Sequence, residues 1–252
     1  VIRVLTLMFG LEGSETAPFI STLLVVLALA TLAAAGFGAL GSIALRRLCG
    51  YLVVLSIGTV FASVAVLEPQ AVSAALYYMI QSTLVTGALF LLVDLIADQR
   101  GPIDDSLQLN GPPVRDPVVL GTLFFATAVA MAGLPPLSGF FGKLMIMRAA
   151  LAAQFVPWLW AALLIGSLLV LLALSRAGSR LFWSTEGEPL TREPLQLGAV
   201  LPVALLLAAS PLLVVFAAPV HVYLDKTAAQ LANPQGYILQ VLGDGAAKGA
   251  AP

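Results

Sequence analysis

Residues 131–150 read MAGLPPLSGFFGKLMIMRAA. They close an apolar run, yet they hold two adjacent prolines, Pro135 and Pro136, and three glycines, Gly133, Gly139 and Gly142, ahead of a cation, Lys143. Neither proline has an amide hydrogen and each ring clashes with the preceding turn, so a helix here must kink or unwind near Leu134. Ser138 offers a hydroxyl to the carbonyls freed by the break. The run 118–147 would be about 45 Å long as unbroken helix, against a hydrocarbon core of about 30 Å. Bare backbone at membrane depth is tolerated only inside protein or along a water-filled cavity, and discontinuous helices of this kind mark ion sites in many transporters.

Lys143 carries two readings. A cation at mid-membrane costs at least about 2.5–3.5 kcal/mol on insertion scales. A lysine held between desolvation, which opposes its charge, and a nearby carboxylate, which supports it, can exchange a proton as its surroundings change. Alternatively its stem snorkels toward the outer interface, since Arg148 follows closely in sequence. The prolines and glycines just before it favour the functional reading.

The rest of the chain supplies the setting. Of its 252 residues, 60% are hydrophobic and 10% charged, with mean hydropathy +1.01; a soluble domain has about 25% charged residues. The fold class expected is an all-α, polytopic membrane helical bundle. A net charge of -1 excludes the basic footprint of a nucleic-acid binder. The lone Cys49, beside Arg46 and Arg47, excludes an internal disulfide and a multi-cysteine metal site, and reads as a buried structural thiol. There is no phosphate-binding glycine loop, iron–sulfur cysteine cluster, Ser–His–Asp arrangement or His-Glu zinc motif. The expectation is no cofactor, no metal, no catalytic residue, and a transporter rather than an enzyme.

Residues 1–10, VIRVLTLMFG, read as the remnant of a helix with no signal-peptide layout, as expected for the carboxy-terminal part of a larger membrane subunit. Spans follow at about 19–40, 50–67, 71–97, 118–147 (broken), 157–183 and 196–220, making a membrane domain over 1–220. GSIALRRLCG turns the chain between the first two. Residues 221–252 form a tail holding one short amphipathic helix, LDKTAAQLANPQGYILQVL, and a disordered end. Alternate loops collect Arg46, Arg47, Arg100, Arg115, Arg180 and Arg192, with Arg176 close by, on one side, and Arg3, Arg148, Lys226 and Lys248 on the other. The positive-inside rule makes the first side cytoplasmic and both ends of the chain extracytoplasmic. Trp158, Trp160 and Trp183 lie near span ends, where interfacial rings belong.

The third span holds Tyr77, Tyr78, Gln81, Ser82, Thr83 and Thr86 within an apolar helix. Tyr78, Gln81, Ser82 and Thr86 share one face by their spacing. That face lines either a hydrated path or a helix–helix contact, the latter worth about 0.6 kcal/mol per polar pair. Asp94, nearer the cytoplasmic end, either collects protons or cations or, the favoured role, pairs with an arginine. Arg176 is either an interfacial anchor or a charge in a polar funnel. Glu68 is a solvated turn residue. His221, the only histidine, caps the last span or lies on the surface.

GLPPLSGFFGK resembles the broken-helix motif of the antiporter-like subunits shared by Mrp-type multisubunit Na+/H+ antiporters and respiratory complex I. ALYYMIQSTLVTGALFLLVDLIADQRG and ALRRLCGYLVVLSIGT resemble neighbouring helices of that family. ALSRAGSRLFW and DKTAAQLANPQGYILQVLG are more particular to its Mrp branch. The resemblance covers nearly the whole chain. It implies the second of two inverted repeats of such a subunit, serving in the proton-translocating part of a monovalent cation (Na+)/H+ antiporter in the bacterial plasma membrane. The implied partners are the other subunits of a hetero-oligomeric Mrp-type complex, the N-terminal half of the same subunit, protons and Na+ or another monovalent cation, and lipid.

It also implies a chain of protonatable residues and water at the bilayer centre, with Lys143 as one member; complex I relatives can carry glutamate at that position. Relatives often carry histidine where Gln81 stands, and glutamine orients water without titrating. The residues so assigned to proton translocation are Lys143, Tyr78, Gln81, Ser82, Thr86, Ser138, Asp94 and Arg176, with Gly133, Pro135, Pro136 and Gly139 making the helix break. The alternative is a proton-pumping membrane subunit of a complex I-like redox complex or a membrane-bound hydrogenase. A third reading is a structural subunit in which Lys143 only anchors packing.

Overall fold

The computed structural model describes residues 16–108, 111–187, 189 and 196–233. The expected helix remnant at 1–10, Arg3, Arg192, Lys248 and the tail beyond Asn233 lie outside the described residues. Eight α-helices are described: α1 (Ala17–Gly41), α2 (Leu45–Val64), α3 (Pro69–Arg100), α4 (Pro117–Ala132), α5 (Ser138–Ala149), α6 (Val156–Phe182), α7 (Leu197–Val215) and α8 (Ala217–Ala232). Five of them, α1, α2, α3, α6 and α7, are long and apolar enough to cross a membrane; α4 is a shorter apolar helix. Among the described residues there is no strand, only an isolated antiparallel bridge between Ala44 and Ser106. This is an all-α membrane bundle with one helix in two halves.

Proline sets several starts. Pro69, Pro117 and Pro157 stand in the first turns of α3, α4 and α6, where the missing amide would have no intrahelical partner anyway. The outer faces are apolar: Phe37 and Phe125 are each 70% exposed, a surface that suits lipid and not water. The long α3 is the centre of the bundle and touches α2, α4, α5, α7 and α8. Its buried face presents Val85, Leu89, Leu92 and Ile96 to them.

The bounds of the second and sixth spans differ from the sequence reading. The second span begins at Leu45, not near 50, and GSIALRRLCG is already helical over its second half. The reason lies in the loop after α3. The Leu45 amide donates to the Asp105 carbonyl at 2.8 Å, and the Arg46 amide donates to the Asp105 carboxylate at 2.8 Å. These bonds satisfy first-turn donors that a helix cannot satisfy itself. At the far end α2 stops at Val64, and Leu67 takes a positive φ of 61° in the turn to α3. The sixth span divides at Phe216, and α8 starts at Ala217, ahead of the amphipathic tail helix expected from Leu224.

The loop after α3 is a strap rather than a loose connection. The Leu107 amide donates to the Ile43 carbonyl at 2.8 Å. Arg46 bridges Asp94 at 3.0 Å and Asp104 at 2.9 Å. The buried Arg100 donates to the carbonyls of Asp104 (3.1 Å) and Ser106 (2.7 Å). Asp94 is therefore part of a half-exposed ion pair at the arginine-rich end, of the kind worth about 0–1 kcal/mol. Asp94→Asn is expected to cost no more stability than this, seen as a small fall in the thermal midpoint. A fall of many degrees would mean that Asp94 holds more of the fold than this ion pair.

Candidate functional site

The break occupies residues 133–137, between α4 and α5. Gly133 takes the left-handed conformation, φ 76° and ψ 46°, and the amides of Gly133 and Leu134 both fold back to the Val129 carbonyl, at 3.2 and 3.1 Å. The Pro135–Pro136 peptide is cis, and neither residue offers an amide to the carbonyls left behind. An interrupted helix leaves its last carbonyls without partners. Two of the polar side chains singled out from the sequence take them up.

Gln81 Nε2 donates to the Ala130 carbonyl at 3.3 Å. Lys143 Nζ donates to the Ala132 carbonyl at 2.9 Å and to Ser167 Oγ at 2.7 Å. Ser167 Oγ in turn donates to the Leu163 carbonyl at 2.8 Å. The amine sits at the negative end of the α4 dipole, where a cation is favoured. Lys143 is 7% exposed, so the snorkelling alternative does not describe it. Among the described residues no carboxylate pairs with it.

The other side of the break is closed from α7. Ser210 Oγ accepts from the Ser138 amide at 3.3 Å, and the two hydroxyls lie 2.8 Å apart. The first amide of α5 is thereby satisfied. The glycines let the halves meet. A Cβ on Gly139 would collide with the Ala130 carbonyl, and one on Gly142 would lie 3.1 Å from Tyr78 Cδ2. At Gly133 a Cβ would fall 3.0–3.2 Å from the last three atoms of the Lys143 side chain. Gly133→Ala is expected to cost about 1–2 kcal/mol for the left-handed backbone and to press on the amine. The thermal midpoint should fall; a silent substitution would mean that the break is not held in this shape.

The polar face of α3 is buried throughout: Tyr78 3%, Gln81 2%, Ser82 6% and Thr86 8% exposed. It serves two neighbours rather than one. The Tyr78 hydroxyl faces Ser56 and Thr59 of α2. Ser82 and Thr86 line, with Ser56, a cavity of about 250 Å³ between α2 and α3. Gln81 turns to α4, and Thr86 Oγ1 approaches Met131 Sδ at 3.8 Å. Ser138 joins this centre through α5. Asp94 and Arg176 do not: both stand at the arginine-rich end, the first on Arg46 and the second donating to the Ser42 carbonyl at 2.7 Å. His221 lies at the opposite end, near Asp225 (3.4 Å) and Ser73 (3.5 Å).

Sequence reading passed over Ser167 and Ser210. Each is a lone hydroxyl inside an apolar run, and Ser210 immediately precedes Pro211. Neither has a polar neighbour at helical spacing to single it out. Only the packing of α6 and α7 brings them to the break.

Comparison with known proteins places this geometry in a wider set. Residues 1–170 match the family model described as NADH:quinone oxidoreductase/Mrp antiporter, transmembrane. A D-type component of the Na(+)/H(+) antiporter of Bacillus subtilis (strain 168) is 34% identical over 247 residues, covering 96% of this chain and 48% of the relative. The D-type component of a probable K(+)/H(+) antiporter of Rhizobium meliloti (strain 1021) is 32% identical over 269 residues, covering 96% of this chain and 50% of the relative. The chain thus spans about half the length of the curated relatives it matches. Among solved structures, the Mrp complex from Dietzia sp. DQ12-45-1b superposes with a TM-score of 0.76 at 24% identity, over 88% of this chain and 49% of that one. Respiratory complex I from Thermus thermophilus gives 0.75 at 24% identity, over 92% and 49%. These likenesses show a shared fold.

Proposed function

The chain belongs to the NADH:quinone oxidoreductase/Mrp antiporter transmembrane family, and from that premise we propose that it is part of a proton-translocating subunit of a multisubunit monovalent cation/H+ antiporter. It would be a secondary transporter component, working with the other subunits of a hetero-oligomeric complex and with the remainder of its own subunit. Its place is the bacterial plasma membrane, with the arginine-rich end cytoplasmic and residues 221–252 outside. The membrane domain over 1–220 then corresponds to the second inverted repeat.

One observation carries this reading: a buried amine, Lys143 Nζ, bridges the open end of a broken helix and a hydroxyl on another helix. As an ammonium it donates to both the Ala132 carbonyl and Ser167. As a neutral amine it keeps one donor for Ala132 and presents a lone pair, to which the Ser167 hydroxyl can turn. Both protonation states thus find partners in the same pocket. Gln81 orients water beside the break, while Tyr78, Ser82, Thr86 and Ser138 supply hydroxyls along the way. Asp94 and Arg176 act at the cytoplasmic end, as ion pair and anchor.

A scaffold reading has its own support, since the bonds from Lys143 and Gln81 also cap α4. The redox-pump alternative fits the complex I relatives. Inverted membrane vesicles containing the intact complex separate the antiporter from the redox pump. Adding Na+ or K+ to vesicles with an imposed pH gradient is expected to collapse that gradient with no redox substrate consumed. A pH change that requires an electron donor and ignores the added cation would overturn the antiporter.

A further inference from the structure

At the arginine-rich end a second pocket, of about 370 Å³, opens between three parts of the fold. Ser42 and Ile43 come from the α1–α2 turn, Leu107 and Gln108 from the strap, and Arg176 and Arg180 from the last turns of α6. The strap is pinned at this edge by the Leu107–Ile43 main-chain bond, so the walls are fixed. These two arginines are held differently from Arg46 and Arg100. Arg46 bridges two carboxylates and Arg100 is spent on strap carbonyls. Arg176, by contrast, gives one Nη to the neutral Ser42 carbonyl, and Arg180 faces no carboxylate among the described residues. Two guanidinium groups one helical turn apart therefore border one pocket with no carboxylate paired to them among the described residues.

Their depth is set by the same helix. Trp183, just beyond Arg180, is 81% exposed, as suits a ring at the membrane–water interface. Ile43, 40% exposed, and Leu107 give the pocket an apolar lip. Guanidinium forks bind phosphate oxygens in a bidentate manner, and basic pockets between helices at the membrane surface bind anionic headgroups. We infer that this pocket takes the phosphate of an anionic membrane lipid of the phosphatidylglycerol type. The headgroup would lie between Arg176 and Arg180, with its first methylenes against Ile43 and Leu107.

The test uses the intact complex and a photoactivatable phosphatidylglycerol, with labelled peptides mapped by mass spectrometry. The wild type is expected to carry label on the peptide spanning residues 171–183. Arg176→Gln with Arg180→Gln should reduce it roughly twenty- to thirtyfold, about fivefold for each cation removed from the surface. The paired lysine substitutions, which keep the charge and lose the fork, should label more weakly than the wild type and more strongly than the glutamine pair. A phosphatidylcholine probe should leave the peptide unlabelled. If excess inorganic phosphate displaces the lipid label in full, a soluble anion is the occupant and the lipid assignment falls. Should the double variant not assemble, Arg180→Gln alone, which breaks no bond among the described residues, carries the same test. Equal labelling of wild type and variants overturns the site. None of these readouts depends on transport.

Discussion

Lys143→Ala, in the intact complex, is expected to abolish cation-driven proton movement in inverted vesicles, by roughly a hundredfold or more, the range of a removed acid–base group. The substitution also strips the Ala132 carbonyl of its donor, a buried loss of about 1–3 kcal/mol. A fall in activity by itself would therefore satisfy both the proton carrier and the scaffold. Lys143→Gln divides them. Its amide can donate to a carbonyl as the amine does, yet it does not titrate. If the side chain carries protons, the glutamine variant regains thermal stability relative to alanine while transport stays absent. If the side chain only caps α4, the glutamine variant recovers both together. Ser167→Ala adds a graded case: the Ala132 bond remains, but the partner that can serve both protonation states is gone. Transport should fall with a small change in stability. Normal antiport in an assembled Lys143→Gln complex would end the proposed relay.

The contrast between what the sequence disclosed and what it hid follows from the physics of each feature. The break was legible because proline removes a donor wherever it stands, whatever packs around it. The spans were legible from unbroken apolarity, which needs no partner to be recognised. The start of α2 was not, because the donors of Leu45 and Arg46 are satisfied by Asp105, a residue far along the chain in a loop that composition marks only as polar. Ser167 and Ser210 were invisible for the same reason. A hydroxyl in an apolar helix has meaning only through the neighbour it meets, and here those neighbours are Lys143 and Ser138. Gln81 shows the intermediate case. Spacing put it on the face of Tyr78 and Ser82, but the structure turns it to a carbonyl freed by the prolines. Its role thus depends on two features that are each visible in the sequence, though their meeting is not.

That meeting rests on glycine, and Gly139→Val is expected to undo it. Gly139 stands one residue into α5, where any Cβ runs into the Ala130 carbonyl and would come within 3.1 Å of Gln81 Nε2 and 3.2 Å of Gly133 Cα. Two of these three neighbours are backbone, so no rotamer change relieves the clash. The half-helices must separate. Overpacking of this kind costs about 1–3 kcal/mol, and the same shift withdraws Gln81 from Ala130 and Lys143 from Ala132, at about 1–3 kcal/mol for each carbonyl left bare. The sum is a large part of the stability of most domains, so the variant should fail to co-purify with its complex or melt many degrees below it. Gly50→Ala on α2 is the control. A Cβ there meets nothing within 4 Å, and exchanging a mid-helix glycine for alanine gains about 0.5–1 kcal/mol. Assembly and transport should be unchanged or slightly improved. If instead Gly139→Val assembles and melts like the control, α5 does not press on the end of α4, and the pocket that holds Lys143 has another construction.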